Sequence, residues 1–427
     1  MTSQQRRHRI IVLGGGFAGA YFAQAAERTL RGLDAEVVLF SRHNYFVFSP
    51  LLIEAGTGSL EPRHAVISIR SFLKHTRFLM ADVRDVDTDA RQVSYQPVGN
   101  EPIEHMGYDH LVLALGAVTR LPSDVPGLRE YGHEMKNLGD AVALRDRVIH
   151  MLEAANICVN EQRRREMLHV VVVGGNFTGV EVAGEFGAFM AKASQSYDNV
   201  SVSDCKVTLV EIGDRILDEL DRDLADYAMN AMKNRGIDVR LNDSIVKIEA
   251  ERAVLNSGDV LPTRTIIWCA GIAPSRLQSQ LKLPTDAHGY LRCGPDLLIE
   301  GFDNVWGIGD CAANIDERGK PHPPTAQHAI KEGEHLAHQL ARLFRKEPLQ
   351  PCIISSKGSL AAFGCRTGVA KVFGIKLSGF TAWFLWRTVY LLKMPGFSRR
   401  IRVALDWMID FFFARDYVEL GIHRRRG

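Results

Sequence analysis

The chain has 427 residues, of which 46% are hydrophobic and 24% are charged, with a formal net charge of +2. This apolar content suffices for two or three hydrophobic cores of ordinary size, and the near-zero charge gives no field that would favour nucleic acid. The seven cysteines form no C-x-x-C pair and no zinc-ligand spacing, which indicates reduced, mostly buried thiols of a cytosolic protein and no metal site.

The amino-terminal stretch predicts a strand, a glycine turn, a helix and a second strand. Arg9–Leu13 is apolar, Gly14–Gly19 fits G-x-G-x-x-G, and the helix is expected over 17–30. Such glycines let a pyrophosphate approach the backbone, where helix N–H groups face its charge. An acid usually ends the second strand and binds a ribose hydroxyl, but Ser41 stands at this position. We therefore expect ribose binding to be weaker or to involve Arg42.

The next segment predicts more of the same domain and then a link to another. Strands are expected over Phe78–Val83 and Val93–Tyr95, and Tyr108–Gly116 is read as a buried strand that ends in glycine. Pro122–Gly139 contains a Pro-Gly pair and few apolar residues, so it is interpreted as a connector into the next domain.

The strand–glycine–helix pattern recurs further along the chain. His169–Val173 precedes Gly174–Gly179, and the helix is expected over Phe177–Ala193. The middle glycine is replaced by Asn176, which would crowd a pyrophosphate, although Asn tolerates a positive φ better than most residues. Glu211 ends the following strand, where a carboxylate accepts the ribose hydroxyls of NADH and repels the 2′-phosphate of NADPH. This second cradle therefore favours NADH.

Two cradles in one chain predict two dinucleotides, and the simplest reason to hold both is electron transfer between them. Thr265–Gly271 is another strand ending in glycine, and the chain then returns to a strand over Asn304–Asp310. Asp310 follows a Gly-x-Gly sequence, so we expect it to hydrogen-bond the ribityl or pyrophosphate part of a flavin.

These patterns predict an α/β fold in which two Rossmann-like dinucleotide-binding domains are interleaved and a C-terminal amphipathic helical region follows. The expected domains are a first part of the FAD-binding domain over 1–121, an NADH-binding domain over 122–271, a second part of the FAD-binding domain over 272–361 and a membrane-anchoring region over 362–427.

The C-terminal region has the pattern of helices that lie on a membrane. Phe380–Met394 is strongly apolar, but as a helix it spans only ~22 Å, short of the ~30 Å hydrocarbon core. Ser398 is expected to cap a second helix. One side of that helix carries Ile401, Leu405, Met408, Phe411 and Phe412, and the other carries Arg399, Arg402, Asp406 and Asp410. This predicts an interfacial helix in one leaflet; a dimer interface and a helix pair packed on the core are the alternatives.

Seven stretches, in the same order along the chain, carry a resemblance to a known family. They are Gly14–Gly19, Arg42–Leu52, Leu113–Gly116, Gly174–Glu185, Gly309–Ala312, Pro323–Ile330 and Lys357–Ala361. In these stretches the chain resembles the type II NADH dehydrogenases, single-subunit flavoproteins that pass electrons from NADH to a membrane quinone.

The motifs and this resemblance together imply roles for individual residues. FAD is expected to contact Gly14, Gly16, Phe17, Ala18, Gly19, Ser41, Arg42, Pro50, Val83, Gly116, Asp310 and Ala326. NADH is expected to contact Gly174, Phe177, Thr178, Gly179, Glu181, Glu211, Ala270 and Gly271. The resemblance places Glu181 near the nicotinamide and Gln327 and Ile330 beside the quinone, and these are the candidate catalytic residues. A helix starting at Pro324 would direct its positive end at the flavin and stabilise an anionic hydroquinone.

The expected function is FAD-dependent NADH:quinone oxidoreduction in a respiratory chain, without proton pumping. Its expected partners are a membrane quinone and the bilayer surface on the cytoplasmic face of the inner membrane, with a homodimer left open. One alternative is a sulfide:quinone oxidoreductase, which would need cysteines beside the flavin and could recruit Cys158, Cys352 or Cys365. Another is a non-enzymatic, flavin-binding sensor at the membrane. Pyridine-nucleotide disulfide reductases are disfavoured because no C-x₄-C follows the first cradle.

Overall fold

A computed structural model describes residues 7–99, 101–316, 319–355, 358–413 and 415–421. Lys357, which begins the last of the seven matching stretches, lies outside the described residues. In chain order the strands are β1 (His8–Leu13), β2 (Ala35–Ser41), β3 (Tyr45–Val47), β4 (Val66–Ser68), β5 (Arg77–Asp87), β6 (Gln92–Pro97), β7 (Glu104–Gly107), β8 (His110–Leu113), β9 (Ala117–Thr119), β10 (Gly132–Glu134), β11 (His169–Val173), β12 (Lys206–Val210), β13 (Asp238–Arg240), β14 (Ile245–Glu249), β15 (Arg252–Leu255), β16 (Val260–Pro262), β17 (Thr265–Trp268), β18 (Ile272–Pro274), β19 (Val305–Gly307), β20 (Gly358–Ala362), β21 (Gly368–Val372) and β22 (Ile375–Ser378).

The α-helices are α1 (Phe17–Thr29), α2 (Leu52–Gly56), α3 (Ile69–Phe72), α4 (Leu128–Tyr131), α5 (Leu138–Ile157), α6 (Glu161–Met167), α7 (Phe177–Ala193), α8 (Arg222–Asn234), α9 (Arg276–Gln280), α10 (Ala326–Phe344), α11 (Gly379–Lys393) and α12 (Phe397–Phe412). No helix among the described residues is both long and apolar enough to cross a bilayer.

The first of two compact units contains the chain up to Val47, Val66–Val118 and the stretch from Ile272 to Ser355. Its main sheet has the strand order β19-β8-β1-β2-β5-β6-β7. The pairs from β19 to β5 are parallel, whereas β6 and β7 are antiparallel additions. The last four residues of β1 are fully buried, as expected for a central parallel strand covered on both faces. The carboxyl ends of β2, β1, β8 and β19 therefore lie at one edge of the sheet.

The second unit contains Phe48–Ala65, Thr119–Gly271 and the described residues from Gly358 onward. Its parallel sheet has the order β10-β17-β11-β12-β13. Two antiparallel sheets accompany it, β14-β15-β16 and β20-β21-β22. The interpretation of Pro122–Gly139 as a connector was wrong, because this stretch supplies α4 and the edge strand β10. A strand of three residues is too short to show a periodicity in the sequence.

Val403, Asp406, Trp407 and Asp410 of helix α12 face the protein, whereas Arg402, which was expected on the polar side with the two acids, is exposed. It starts at Phe397 after Gly396, which has a φ of +89°, so the expected cap at Ser398 was wrong. Val403 and Trp407 are buried, while the Asp406 carboxylate contacts the His64 ring. The exposed residues of α12 include Ile401, Leu405, Met408, Ile409, Phe411 and Phe412.

Two glycines on α7 test how the second unit packs. A Cβ on Gly184 would lie 2.1 Å from the Phe363 carbonyl oxygen, whereas a Cβ on Gly187 would lie no closer than 3.5 Å to its nearest neighbour, Ile237 Cδ1. We expect Gly184→Ala to lower the free energy of unfolding by more than about 2 kcal/mol because backbone must move. Gly187→Ala should raise it by roughly 0.5–1 kcal/mol through helix propensity. Urea unfolding of both variants checks this, and equal effects would contradict the packing at Phe363.

Candidate functional site

The first glycine turn lies where β1 ends and α1 begins, directly against the end of β8. A Cβ on Gly14 would be 2.1 Å from the Ala114 carbonyl oxygen, and one on Gly19 would be 1.9 Å from the Gly14 oxygen. These two glycines are needed for the close approach of the backbone. A Cβ on Gly16 would meet nothing within 4 Å, so space lies over the start of α1. Gly16 is the N-cap residue of α1, and no side chain caps this helix.

The other predicted FAD residues of the first unit gather at the same sheet edge. Ser41 ends β2, and its Oγ would be 2.9 Å from a Cβ on Gly15, which places it at the expected ribose position. Asp310 follows β19, in a turn where Gly309 has a φ of +71°. The remaining three lie as follows: Gly116 comes after β8, Arg42 after β2 and Val83 within β5. Pro50 lies in the second unit, in a short 3₁₀ turn before α2.

Helix α10 starts two residues later than expected. Thr325 is its N-cap residue, since its hydroxyl oxygen accepts the His328 N–H, so the helix begins at Ala326 rather than Pro324. Ala326 and Gln327 lie in the first turn and Ile330 in the second, and all three are half-buried. The positive end of this helix is therefore formed by the residues expected to border the flavin and the quinone.

These residues fit the dinucleotide that they are predicted to hold. A pyrophosphate needs a close glycine backbone and an uncovered helix start, and the turn from Gly14 to α1 provides both. A flavin dinucleotide needs further polar contacts at the same edge, and Ser41 and Asp310 are placed there.

The second glycine turn repeats the backbone of the first but differs in its cap. A Cβ on Gly179 would be 1.7 Å from the Gly174 oxygen, the same close contact as in the first turn. Asn176 has a φ of −73°, so its tolerance of positive φ is not used. Its Oδ1 accepts the Gly179 N–H at 3.0 Å, and its Nδ2 donates to the Cys269 carbonyl at 2.8 Å. The side chain therefore lies on the protein and caps α7, and the expectation that it crowds a pyrophosphate stays a prediction.

Glu211 occupies in the second unit the place that Ser41 has in the first. Its Oε2 accepts the Gly175 N–H, and its Oε1 accepts the Gly213 N–H at 2.6 Å. Ala270 and Gly271 follow β17 at the same carboxyl edge of the sheet. Phe177, Thr178 and Gly179 form the first turn of α7, so the predicted NADH residues of this unit converge on one edge.

Glu181 lies two residues beyond this turn, in a group of acidic side chains. Its Oε1 accepts the Ala362 N–H at 3.0 Å. Burial raises the pKa of Glu181 to about 8, the Ala362 N–H opposes this, and the charges of Glu185 and Glu54 add to the increase. Burial also raises the pKa of Glu185, although the Arg415 charge lowers it. Glu181 can therefore hold a proton near neutral pH.

Sequence reasoning missed Glu54, which links three helices of the second unit. Its Oε1 lies 3.2 Å from Arg387 Nη2, and its Oε2 accepts the Trp407 Nε1–H at 2.7 Å. The Arg387 guanidinium lies between the Trp383 and Trp407 rings, 4.5 and 4.6 Å from their centroids. The available signal was an acid directly after the apolar run Leu51–Ile53, because a buried acid needs a partner.

Of the three cysteines that the sulfide alternative could recruit, Cys352 alone is buried. Burial raises the pKa of Cys352 to about 12, which keeps its thiol protonated. Cys365 is exposed, and Cys158 is half-exposed and bonds to the Asn160 carbonyl. Across the part of the chain that the structure describes, no group of three or more His, Cys, Asp and Glu side chains is placed to hold a metal ion.

Comparison with known proteins gives the family. Residues 8–333 match the family described as Pyridine nucleotide-disulphide oxidoreductase, and residues 356–416 match the NDH2 C-terminal domain. The internal alternative NAD(P)H-ubiquinone oxidoreductase A1 of Arabidopsis thaliana mitochondria is 30% identical, over 97% of this chain and 86% of that protein. The type II NADH:quinone oxidoreductase Ndh of Mycobacterium tuberculosis is 27% identical, over 96% of this chain and 89% of that protein.

The fold is similar to that of NDH2 from Plasmodium falciparum, solved in complex with NADH, with a TM-score of 0.90 at 22% identity over 97% of this chain and 100% of that one. The predicted α/β flavoprotein fold is thereby confirmed. Although the lack of a C-x₄-C after the first cradle argued against a disulfide reductase, the chain belongs to the pyridine nucleotide-disulphide oxidoreductase family and, with its NDH2 C-terminal domain, to the type II NADH dehydrogenases.

Proposed function

We propose that the glycine turn of the first unit binds FAD and that of the second unit binds NADH. The activity of the chain is NADH:quinone oxidoreduction, that of the family to which it belongs. The observation that carries the assignment is the difference between the two sheet edges. The first combines an uncapped helix start with Ser41 and Asp310, and the second has Glu211 at the ribose position.

Bound FAD supplies the redox chemistry, as it accepts a hydride and passes two electrons on. The chain supplies the binding and the electrostatics. The amides at the start of α1 would face the pyrophosphate of FAD, and the positive end of α10 favours negative charge beside Ala326. Glu211 favours NADH over NADPH, because its carboxylate would repel a 2′-phosphate. Gln327 and Ile330 would border the quinone.

Glu181 holds the proton that quinone reduction consumes close to the second cradle. Its carboxyl has a pKa of about 8, raised chiefly by burial, so most of it is protonated at neutral pH. The Ala362 N–H keeps its Oε1 in place. A carboxylic acid held in this way can donate a proton and recover it from solvent.

Anaerobic mixing tests the whole assignment. NADH should bleach the oxidised flavin absorbance of the purified protein within the mixing time, and a water-soluble quinone should restore it. Sulfide should leave the spectrum unchanged, since the buried thiols stay protonated. Bleaching by sulfide but not by NADH would establish the sulfide:quinone alternative, and no response to either would favour a flavin sensor.

The raised pKa of Glu181 makes stability depend on pH. Between its ordinary pKa of 4.5 and about 8, the folded protein keeps a proton that the unfolded chain has lost. This contribution is complete below pH 4.5 and is lost as pH rises through 8, with a slope of about 1.4 kcal/mol per pH unit. Glu181→Gln should remove this slope. Urea unfolding of the holoenzyme from about pH 5 to 8.5 measures it, with the exposed Glu334→Gln as control. An unchanged slope in Glu181→Gln would show that Glu181 ionises normally.

We also propose that the outward face of α12 lies on the lipid surface. Its inward polar and aromatic residues form side-chain contacts within the protein. Asp410 pairs with Arg415 at 2.6 Å, Asp406 contacts His64, and Trp407 donates to Glu54. The outward residues Leu405, Met408 and Ile409 are about half exposed, at 48%, 55% and 57%. A contiguous apolar face of this kind is typical of helices that lie in one leaflet. We place it on the cytoplasmic face of the inner membrane.

Three serine substitutions test this surface. Leu405→Ser, Met408→Ser and Ile409→Ser combined should lower partitioning to anionic lipid vesicles at least tenfold, since each removes apolar area that lipid would bury. NADH-driven ferricyanide reduction should persist. Ile157→Ser with Val159→Ser, at exposed positions 82% and 101% accessible, is the matched control. A variant that binds vesicles normally but changes from dimer to monomer in light scattering would show a dimer interface instead.

A further inference from the structure

A carboxylate inside the first unit is surrounded by hydrogen-bond donors. Glu332 lies on α10, and its side chain is 3% exposed. Its Oε2 accepts the Gly309 N–H at 2.6 Å and the Asn314 side-chain amide at 2.8 Å, and its Oε1 lies 2.7 Å from His322 Nδ1. Since a carboxylate only accepts hydrogen bonds, Nδ1 carries the hydrogen. Three donors, one of them the His322 imidazole, compensate for the burial of this charge.

The donors belong to the two segments of this unit that are assigned to the flavin. Gly309 directly precedes Asp310, the residue expected at the ribityl or pyrophosphate part. His322 directly precedes Pro323, where the segment leading to Ala326 and the flavin ring begins. The His322 N–H also donates to the Asn314 carbonyl at 2.7 Å, so the segments are joined to each other as well as to Glu332.

Glu332 is itself held firmly against the first cradle. A Cβ on the next residue, Gly333, would be 2.4 Å from the Ala18 carbonyl oxygen, so α10 and α1 are in backbone contact at this point. A Cβ on Gly309 would be 2.9 Å from Ala18 Cβ, so the same turn of α1 supports the Gly309 turn. The carboxylate thus lies where α1, α10 and the turn after β19 meet.

Two buried acceptors beside Glu332 have no partner among the described residues. They are Asn314 Oδ1 and, with the hydrogen on Nδ1, His322 Nε2. Buried polar atoms without a partner cost free energy, so a donor that reaches them would stabilise the fold. The hydrogen bonds to the Glu332 carboxylate are all formed. The other polar atom of each of the Asn314 and His322 side chains still lacks a donor among the described residues.

We propose that Glu332 is a positioning residue for the flavin, because one buried carboxylate fixes both the Gly309–Asp310 turn and the His322 segment before FAD binds. The inference rests on the proposed binding of FAD in the first cradle. Glu332 acts through pre-organisation, because a turn that is already in its bound conformation loses less entropy when the cofactor binds. Without the carboxylate, the Gly309 N–H and the Asn314 amide lose their acceptor, and the turn that carries Asp310 is released.

The test follows the release of FAD from purified holoenzyme by the rise of flavin fluorescence on dilution. Glu332→Leu should speed release at least about tenfold, since three buried donors lose their acceptor. Glu332→Gln should stay within about threefold of the unaltered protein. Its Oε1 can accept from Gly309 and Asn314 while its amide donates to the other tautomer of His322. Release from Glu332→Gln as fast as from Glu332→Leu would overturn the proposal, because charge rather than hydrogen-bond geometry would then be decisive.

A double-mutant cycle separates positioning from a general loss of structure. If Glu332 acts through the Asp310 turn, Asp310→Asn should speed release roughly tenfold alone but less than threefold in the Glu332→Leu background. Additive effects would overturn the proposal. Should Glu332→Leu fail to fold, Glu332→Ala, which leaves room for water, replaces it in the cycle.

The exposed Glu334 on the same helix gives the matched control, and Glu334→Gln should release FAD at the normal rate. An unaltered protein that retains no FAD, or one in which Asp310→Asn alone has no effect, would instead refute the assignment of FAD to this edge. Failure of the proposed function and failure of the role of Glu332 therefore give different results.

Discussion

Both parallel sheets depend on one constraint, the contact of backbone with backbone where the first strand turns into its helix. In the first unit the turn at Gly14 touches the end of β8. In the second unit a Cβ on Gly174 would lie 3.0 Å from the Ala270 nitrogen, just after β17. No side chain can occupy these places, so the strand ends stay close together and polar groups from several strands share one edge. Ser41 and Glu211 then stand at equivalent positions, and their different chemistry is one feature that distinguishes the two edges.

Several charged side chains of the second unit point into the protein, which is unusual. Glu54, Arg387, Asp406, Asp410 and Arg415 are turned inward, where tryptophan rings and ion pairs surround them, and the apolar side chains of α12 are left outside. In a protein surrounded only by water, this arrangement would expose apolar area while burying charge. A lipid surface against the outer face, as proposed, would explain this arrangement, because lipid would bury the exposed apolar side chains.

Elements with a repeated sequence pattern were predicted, whereas features that depend on one residue or one hydrogen bond were missed. The helix over Phe177–Ala193 was predicted with both ends correct, because a glycine turn and a long apolar period define it. The short strand β10 was missed, because its stretch was interpreted as a connector. The starts of α10 and α12 were misplaced, since one hydrogen bond or one glycine decides them. Glu54 gave only the weak signal of an acid after an apolar run, and Glu332, between Lys331 and Gly333, gave no such signal. Their partners are distant in sequence and could not be inferred. The grouping of Ser41 and Asp310 at one sheet edge followed from parallel topology.

The cap at Asn176 has a consequence for how long each nucleotide stays. At the start of α7, the Asn176 amide oxygen accepts the Gly179 N–H, a bond that a phosphate oxygen could otherwise make. Helix α1 begins after Gly16 with no side-chain cap. A helix start without a cap is stabilised by its ligand, so emptying the first cradle weakens the fold around it. Emptying the second leaves a helix that is already satisfied. Under the proposed assignment, FAD in the first cradle would therefore stay bound, and NADH in the second would bind and leave with every turnover.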